Sequence, residues 1–189
     1  PDLLRESAEG LARVRKIVAD LQDFSHVDDA EWQHANLNQG LESTLNVVSG
    51  DLKYKARVVR DFGDLPTVRC IPAQLGQVFM NLLVNAGQAI ESTGTITLRT
   101  GHADGYAWIE IEDTGSGIPP EVQRRIFEPF FTTKPVGKGT GLGLSISWEI
   151  VQRHGGTISV DSEAGRGTCF RVRLPIAGPS FASGRNSAP

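Results

Sequence analysis

Residues 137–143 read Gly137-Lys138-Gly139-Thr140-Gly141-Leu142-Gly143, with glycine at every second position. A residue without Cβ reaches positive φ and lets backbone N–H groups close on a ligand. Lys138 adds a cation and Thr140 a hydroxyl, so the run reads as a flexible cradle for a polyphosphate. Upstream, across an aromatic-rich stretch, lies a second glycine pair in Asp113-Thr114-Gly115-Ser116-Gly117. Neither common phosphate loop fits. The P-loop pattern needs Ser or Thr after its lysine, where Gly139 follows Lys138, and the dinucleotide pattern needs a third glycine where Pro120 stands. A rarer nucleotide site is required.

Outward from the glycine runs, the most regular helix starts at Pro72, a residue suited to a first helical turn. Its apolar face is Leu75, Val78, Phe79, Leu82, Leu83, Ala86 and Ile90. The opposite face carries Gln77, Asn81, Asn85 and Gln88 at helical spacing, and no charged residue occurs between Arg69 and Glu91. A solvent-facing stripe usually carries Lys and Glu. An all-amide stripe suits a polar ligand that brings its own charge.

The remaining pattern predicts a helix capped by Asn38 and running to about Gly50, with Leu41, Leu45 and Val48 on one side. Strands are expected over 57–62, 67–70, 95–100 and 106–112, the last two joined at Asp104-Gly105. Pro119 and Pro120 start a short helix through Ile126, and a strand pair follows over 157–163 and 168–174. Leu142, Leu144, Ile146, Trp148 and Ile150 alternate with period two, which argues for strand. The glycine loop before them and the Gly155-Gly156 stop argue for helix.

At the N-terminus, Leu4, Ser7, Leu11, Val14, Val18 and Leu21 follow the spacing of a bundle seam, which needs a partner helix. An acidic linker and the main domain follow, and after Pro175 the composition is that of a disordered tail. The chain has 189 residues, 22 % charged, with a formal net charge of −3, so no basic surface for nucleic acid is implied. Cys70 and Cys169 sit singly in apolar surroundings without metal-ligand spacing, as free thiols in a reducing compartment. No apolar run approaches a membrane span and no signal peptide opens the chain. The start at Pro1 reads as a piece of a longer protein.

Four segments in order carry a resemblance: Asn81-Leu82-Leu83-Val84-Asn85-Ala86, Asp113-Thr114-Gly115-Ser116-Gly117, Phe127-Glu128-Pro129-Phe130-Phe131-Thr132-Thr133-Lys134, and Gly139-Thr140-Gly141-Leu142-Gly143-Leu144. They resemble the N, G1, F and G2 boxes of the catalytic, ATP-binding domain of bacterial sensor histidine kinases, over about residues 36–175. The resemblance implies the two-layer α/β sandwich shared by gyrase B subunits, related chaperones, histidine kinases and mismatch-repair ATPases. In it a mixed, mostly antiparallel sheet packs one face against helices, with ATP between helices and lid. It also makes 142–150 a helix. The implied organisation is a second hairpin helix over 1–27, a linker over 28–35, the catalytic domain over 36–176 and a tail over 177–189.

Carried onto this sequence, the resemblance implies that Asn85 coordinates Mg²⁺ through its amide oxygen, a hard ligand for a hard cation. Asn81, one turn earlier, supports phosphates or metal-bound water. Asp113 accepts from the adenine amino group, Thr168 helps it hold the base, and Gly115, Gly117 and Ile118 let the backbone approach base and ribose. Phe127, Phe130 and Phe131 anchor the lid. Lys134 and Lys138 offset triphosphate charge, while Gly139, Thr140, Gly141, Leu142, Gly143 and Leu144 pass over the phosphates into a helix whose N-terminus favours anions. Many sensor kinases carry Lys and an aromatic residue where Gln88 and Ala89 stand here. Gln88 is still expected to face the nucleotide.

The implied activity is transfer of the γ-phosphoryl group of Mg·ATP to a histidine on a dimerisation hairpin, then to a response-regulator aspartate. The parent would dimerise through the hairpin, with this part in the cytoplasm, whether free or attached to a membrane-bound sensor. His26, His34, His102 and His154 are each followed by a non-acidic residue, unlike the family's phosphoacceptor. An ATPase clamp of the same superfamily is the rival, but it places a glutamate where Asn81 stands, and an amide cannot serve as a general base. A nucleotide-binding module without catalysis is the other alternative.

Overall fold

The computed structural model describes residues 31–135 and 139–179. The expected N-terminal hairpin helix, Gly137, Lys138 and most of the expected tail lie outside these residues. Within them the order is β1 (Gln33–Ala35), α1 (Leu37–Leu52), β2 (Ala56–Phe62), β3 (Val68–Cys70), α2 (Pro72–Ala89), β4 (Gly94–Ala103), β5 (Tyr106–Asp113), α3 (Pro120–Gln123), α4 (Gly143–Arg153), β6 (Thr157–Glu163) and β7 (Gly167–Pro175). Five strands form one sheet in the order β2-β4-β5-β7-β6, and β1 pairs with β3 in a separate ribbon. Only β2 and β4 run parallel within the large sheet; its other pairs are antiparallel. This is the mixed two-layer sandwich expected from the resemblance.

Among the described residues one face of the sheet is covered and the other is not, as antiparallel sheets permit. Ile96, Leu98, Ile109, Ile111, Phe170, Val172 and Leu174 point inward and are buried with Leu75, Val78, Phe79, Leu82 and Leu83 of α2. The other face carries charge. Arg99 pairs with Glu112 at 2.7 Å, and Arg171 Nε donates to Glu110 at 2.6 Å, a ladder across three strands. Cys70 is buried and Cys169 half-buried, both as free thiols, and burial pushes each thiol up to about 11. Among the described residues no helix is long and apolar enough to cross a membrane.

α2 begins at Pro72, as its first-turn signal predicts, and ends where Ile90 turns to extended geometry. Its apolar stripe packs on the sheet, which leaves the amide stripe on the far side. His154 locks its start: Ile71 N–H donates to His154 Nε2 at 3.0 Å, and Nδ1 lies 2.8 Å from the Ile150 carbonyl. That imidazole is buried beneath Trp32, with ring centroids 4.8 Å apart.

Several expectations are corrected. The N-cap of α1 is Asn36, whose side chain accepts from Gln39 N–H, rather than Asn38. Asn38 is one residue inside the helix and ties it to the sheet by donating to Gly63 O and accepting from Thr100 Oγ1. Gln33–Ala35, assigned to the linker, form β1 because β3 offers them an antiparallel partner. The helix from Pro120 stops at Gln123 instead of Ile126; beyond it the chain winds through i→i+3 bonds such as Arg125 N to Val122 O and Glu128 N to Arg125 O. Gly178, assigned to the tail, is buried against Arg69.

The ambiguous segment is α4. A residue period of two also contains i,i+4 pairs, so the alternating series divides between two helical faces. Ile146 and Ile150 face the core, whereas Leu144 turns to the pocket and Trp148 stays 45 % exposed.

Candidate functional site

A pocket of about 490 Å³ opens between α2, the loop after β5, α4 and the segment 131–141. That is within the usual range for small-molecule sites. Gln77, Asn81, Asn85 and Gln88 all line it, so the uncharged stripe of α2 forms one wall. Asn81 Nδ2 donates to Gly143 O at 3.0 Å and to Ser147 Oγ at 3.2 Å, joining α2 to the first turn of α4. Lys134 reaches across from the opposite wall. Its ammonium donates to Asn85 Oδ1 at 2.8 Å and also to Gln88 Oε1.

The other end of the pocket is built by sheet register. Asp113 ends β5 and pairs with Thr168 on β7. Both side chains are buried, at 4 % exposure each, and both line the pocket. Asp113 Oδ1 accepts from Gly115 N–H at 2.8 Å. Burial pushes the carboxyl above its ordinary value of 3.8, and the backbone N–H groups of Gly115 and Thr168 oppose the rise only in part. A carboxylate kept in this position costs folding free energy.

The loop between these features is clamped to the β6–β7 hairpin. Gly117 has φ +67°, and a Cβ there would lie 2.0 Å from Glu163 O. Only glycine meets both demands. Gly165 N–H donates to Ser116 O at 2.7 Å from the hairpin side.

Most expected site residues converge here: Asn81, Asn85, Gln88, Asp113, Gly117, Ile118, Lys134, Gly139, Thr140, Gly141, Gly143, Leu144 and Thr168 line the one pocket. Two do not. Gly115 faces α2, where a Cβ would stand 2.6 Å from Ala89 carbonyl atoms, so its smallness serves helix packing rather than a base. Leu142 is buried in the core. Lys138 lies outside the described residues. Of the three phenylalanines, Phe131 lines the pocket beneath the Arg125 guanidinium, 4.3 Å from its ring, Phe127 packs on the core and Phe130 is 64 % exposed.

The sequence reading missed the apolar lining. Met80 and Val84 each precede a stripe asparagine and so repeat its i,i+4 spacing on the same wall, a signal that was available. Ile126 and Phe170 come from distant segments and carried none.

Among the described residues no group of three His, Cys, Asp or Glu could hold a metal. The donor set nevertheless suits a phosphate-bound hard cation. Side-chain amide oxygens of Asn85 and Gln88 already gather round one positive charge, that of Lys134, and Mg²⁺ commonly takes one or two protein oxygens with the rest from phosphate and water.

The profile of the family described as histidine kinase-, DNA gyrase B-, and HSP90-like ATPase matches residues 70–178. The chain is 40 % identical over 169 residues to the signal transduction histidine-protein kinase AtoS of Escherichia coli strain K12, covering 86 % of this chain and 27 % of AtoS. It is 49 % identical over 127 residues to the sensor kinase CckA of Brucella abortus, covering 59 % of this chain and 13 % of CckA. The chain therefore spans well under half the length of either relative. The catalytic domain of histidine kinase ThkA in a nucleotide-free form superposes with a TM-score of 0.71 at 29 % identity, covering 78 % of this chain and 97 % of that one. ThkA in complex with the response regulator TrrA gives 0.74 at 25 % identity, over 89 % of this chain and 48 % of ThkA.

Proposed function

This chain belongs to the histidine kinase-, DNA gyrase B- and HSP90-like ATPase family and is an ATP-binding catalytic domain of the kind found in sensor histidine kinases, and from that premise we propose that it holds Mg·ATP against α2 and passes the γ-phosphoryl group to a histidine on a dimerisation hairpin. The observation that carries this reading is the polarity of one continuous pocket. A buried carboxylate stands at one end, and amide oxygens gathered round a lysine stand at the other.

In this reading Asp113 accepts a hydrogen bond from the 6-amino group of adenine, with Thr168 beside it and Gly117 and Ile118 along the base and ribose. The triphosphate extends toward α2 and α4. Gly139, Thr140, Gly141 and Gly143 bring backbone N–H groups and the N-terminal end of α4 to the phosphates. Asn81 and Asn85 face them from the other wall, and Asn85 Oδ1 would hold Mg²⁺. The metal supplies neutralisation of charge on the transferring group. Lys134 supplies a further positive charge, and the apolar lining of Met80, Val84 and Ile126 excludes water.

Phosphoryl transfer asks the protein chiefly for positioning and charge stabilisation. A neutral imidazole nitrogen is nucleophilic without a general base, in keeping with an amide at Asn81. His154 does not fit the acceptor role, since it is buried with both nitrogens engaged. None of His26, His34, His102 and His154 is followed by an acidic residue, so we assign the acceptor to the hairpin on the resemblance, with relay to a response-regulator aspartate, dimerisation of the parent through that hairpin, and a cytoplasmic location where ATP is available.

The test is incubation with γ-labelled ATP and a separate hairpin carrying its histidine. Wild type is expected to label the hairpin in a Mg²⁺-dependent way and Asn85→Ala to fail. Steady ATP turnover without labelling would instead favour an ATPase clamp. Binding without either reaction would favour a nucleotide-sensing module.

A further inference from the structure

Asp113, Thr168 and Ser162 form one row across β5, β7 and β6, each paired with the next by strand register. Ser162 lies behind the pocket wall, yet its hydroxyl is fully engaged. Oγ accepts from Ile118 N–H at 2.8 Å, donates to Gly167 O at 2.8 Å and lies 2.9 Å from Thr168 Oγ1. Gln123 Nε2 holds the same backbone in place, donating to Ile118 O and Ser162 O at 2.7 Å each.

A hydroxyl has one proton and two lone pairs. The Ser162 proton is committed to Gly167 O, and one lone pair to Ile118 N–H. With the Ser162 proton assigned to the Gly167 carbonyl, which can only accept, the remaining lone pair takes the Thr168 hydroxyl proton. Thr168 Oγ1 then faces the pocket with lone pairs alone. Beside it, the ionised Asp113 carboxylate is also an acceptor. This end of the pocket offers two adjacent side-chain acceptors and no side-chain donor between them.

We infer that Ser162 is a specificity-setting positioning residue: by taking the Thr168 proton it makes Thr168 an acceptor, so that the pocket selects a purine nucleotide carrying a 6-amino donor over one carrying a 6-oxo acceptor. The inference rests on the reading that this pocket takes an adenine nucleotide. Without Ser162, Thr168 regains a free O–H that can donate to a 6-oxo group, and discrimination falls. Ser162 touches no ligand in this arrangement and acts only through Thr168.

The experiment measures ATP and inosine triphosphate affinities by calorimetry for wild type, Ser162→Ala, Thr168→Val and the double variant. Thermal melting checks that each is folded. Ser162→Ala is expected to lose about tenfold in the ratio of the two affinities, the scale of one hydrogen bond to a buried polar partner. Part of that loss should come from tighter inosine triphosphate binding, which structural damage would not produce. On the Thr168→Val background, Ser162→Ala should change the ratio no further. Ser162→Thr, which restores the hydroxyl on a strand that suits threonine, should recover it.

Equal weakening of both nucleotides by Ser162→Ala would overturn the inference, as would a further ratio change in the double variant. Should Ser162→Ala fail to fold, Ser162→Cys must show a partial loss, its thiol being a weak donor and acceptor; an unchanged ratio there would equally overturn it. Wild type that fails to prefer ATP would bring down the adenine reading itself. A preference that survives loss of Ser162 removes only the assignment of Ser162.

Discussion

Lys134 Nζ lies 2.8 Å from Asn85 Oδ1, so the oxygen best placed to hold a metal is already engaged by a cation from the opposite wall. Two cations on one oxygen would stand about 4 Å apart and repel by several kcal/mol at intermediate dielectric. Metal binding at Asn85 therefore requires the lysine to withdraw, with Gln88 Oε1 available to keep it within reach of the phosphates. Lys134→Ala is expected to lower the Mg²⁺ concentration needed for half-maximal nucleotide binding, while affinity for the saturated Mg·ATP complex drops about tenfold or more. Nucleotide titrations across a Mg²⁺ series separate the two effects, and a raised Mg²⁺ midpoint would contradict the competition.

Asp113 is a buried pocket carboxylate held at a cost to the fold. Its folded-state pKa is raised above 3.8, so the native state binds its proton more tightly than the unfolded state does. Stability from this group is present below 3.8 and is lost as pH rises through the folded value. At neutral pH, Asp113→Asn should melt at the same or a higher temperature than wild type, because an amide pays no penalty for a buried charge. Its ATP affinity should nevertheless fall at least tenfold, the amide nitrogen meeting the adenine amino group donor to donor. A melting series from pH 3 to 8 beside calorimetry checks both halves.

His154 has the opposite linkage. Burial pushes its pKa below 6.5, with the Ile150 carbonyl opposing in part. The unfolded state then binds the proton more tightly, so stability is full above 6.5 and falls as pH drops toward the folded value. His154→Leu should flatten the melting-temperature profile between pH 7.5 and 5.5. It should also cost about 1–3 kcal/mol at pH 7.5, since Ile71 N–H loses its acceptor.

Gly117 and Gly165 give a controlled pair. Both have positive φ, +67° and +81°, but an added Cβ meets Glu163 O at 2.0 Å in the first and nothing within 4 Å in the second. Gly165→Ala should cost about 1–2 kcal/mol of backbone strain and leave ATP binding unchanged. Gly117→Ala must also push the loop off the hairpin, so nucleotide affinity should fall with stability. Melting and calorimetry on both variants test this.

The faces of α2 were legible in advance because a helix converts residue spacing directly into direction. Leu75, Val78 and Leu82 went to the sheet and Gln77, Asn81 and Asn85 to the pocket, as their spacing dictates. The period-two series in α4 was less informative, since i and i+4 belong to both periodicities. The choice of Asn36 over Asn38 as cap was also closed to local reading, for either side chain can cap and Asn38 was claimed by Gly63 and Thr100.

By itself the sequence determined most of the elements, the glycine-bounded loops and the family to which the chain belongs, because these depend on order and on spacing within a few turns. Tertiary structure decided which groups meet. Lys134 reaches Asn85 across 49 residues and Ile118 reaches Ser162 across 44. Such contacts depend on strand register and on how a loop closes over a helix, and packing of the whole core sets both. Local patterning carries no record of them, so the row of Asp113, Thr168 and Ser162 emerges only when β5, β7 and β6 stand side by side.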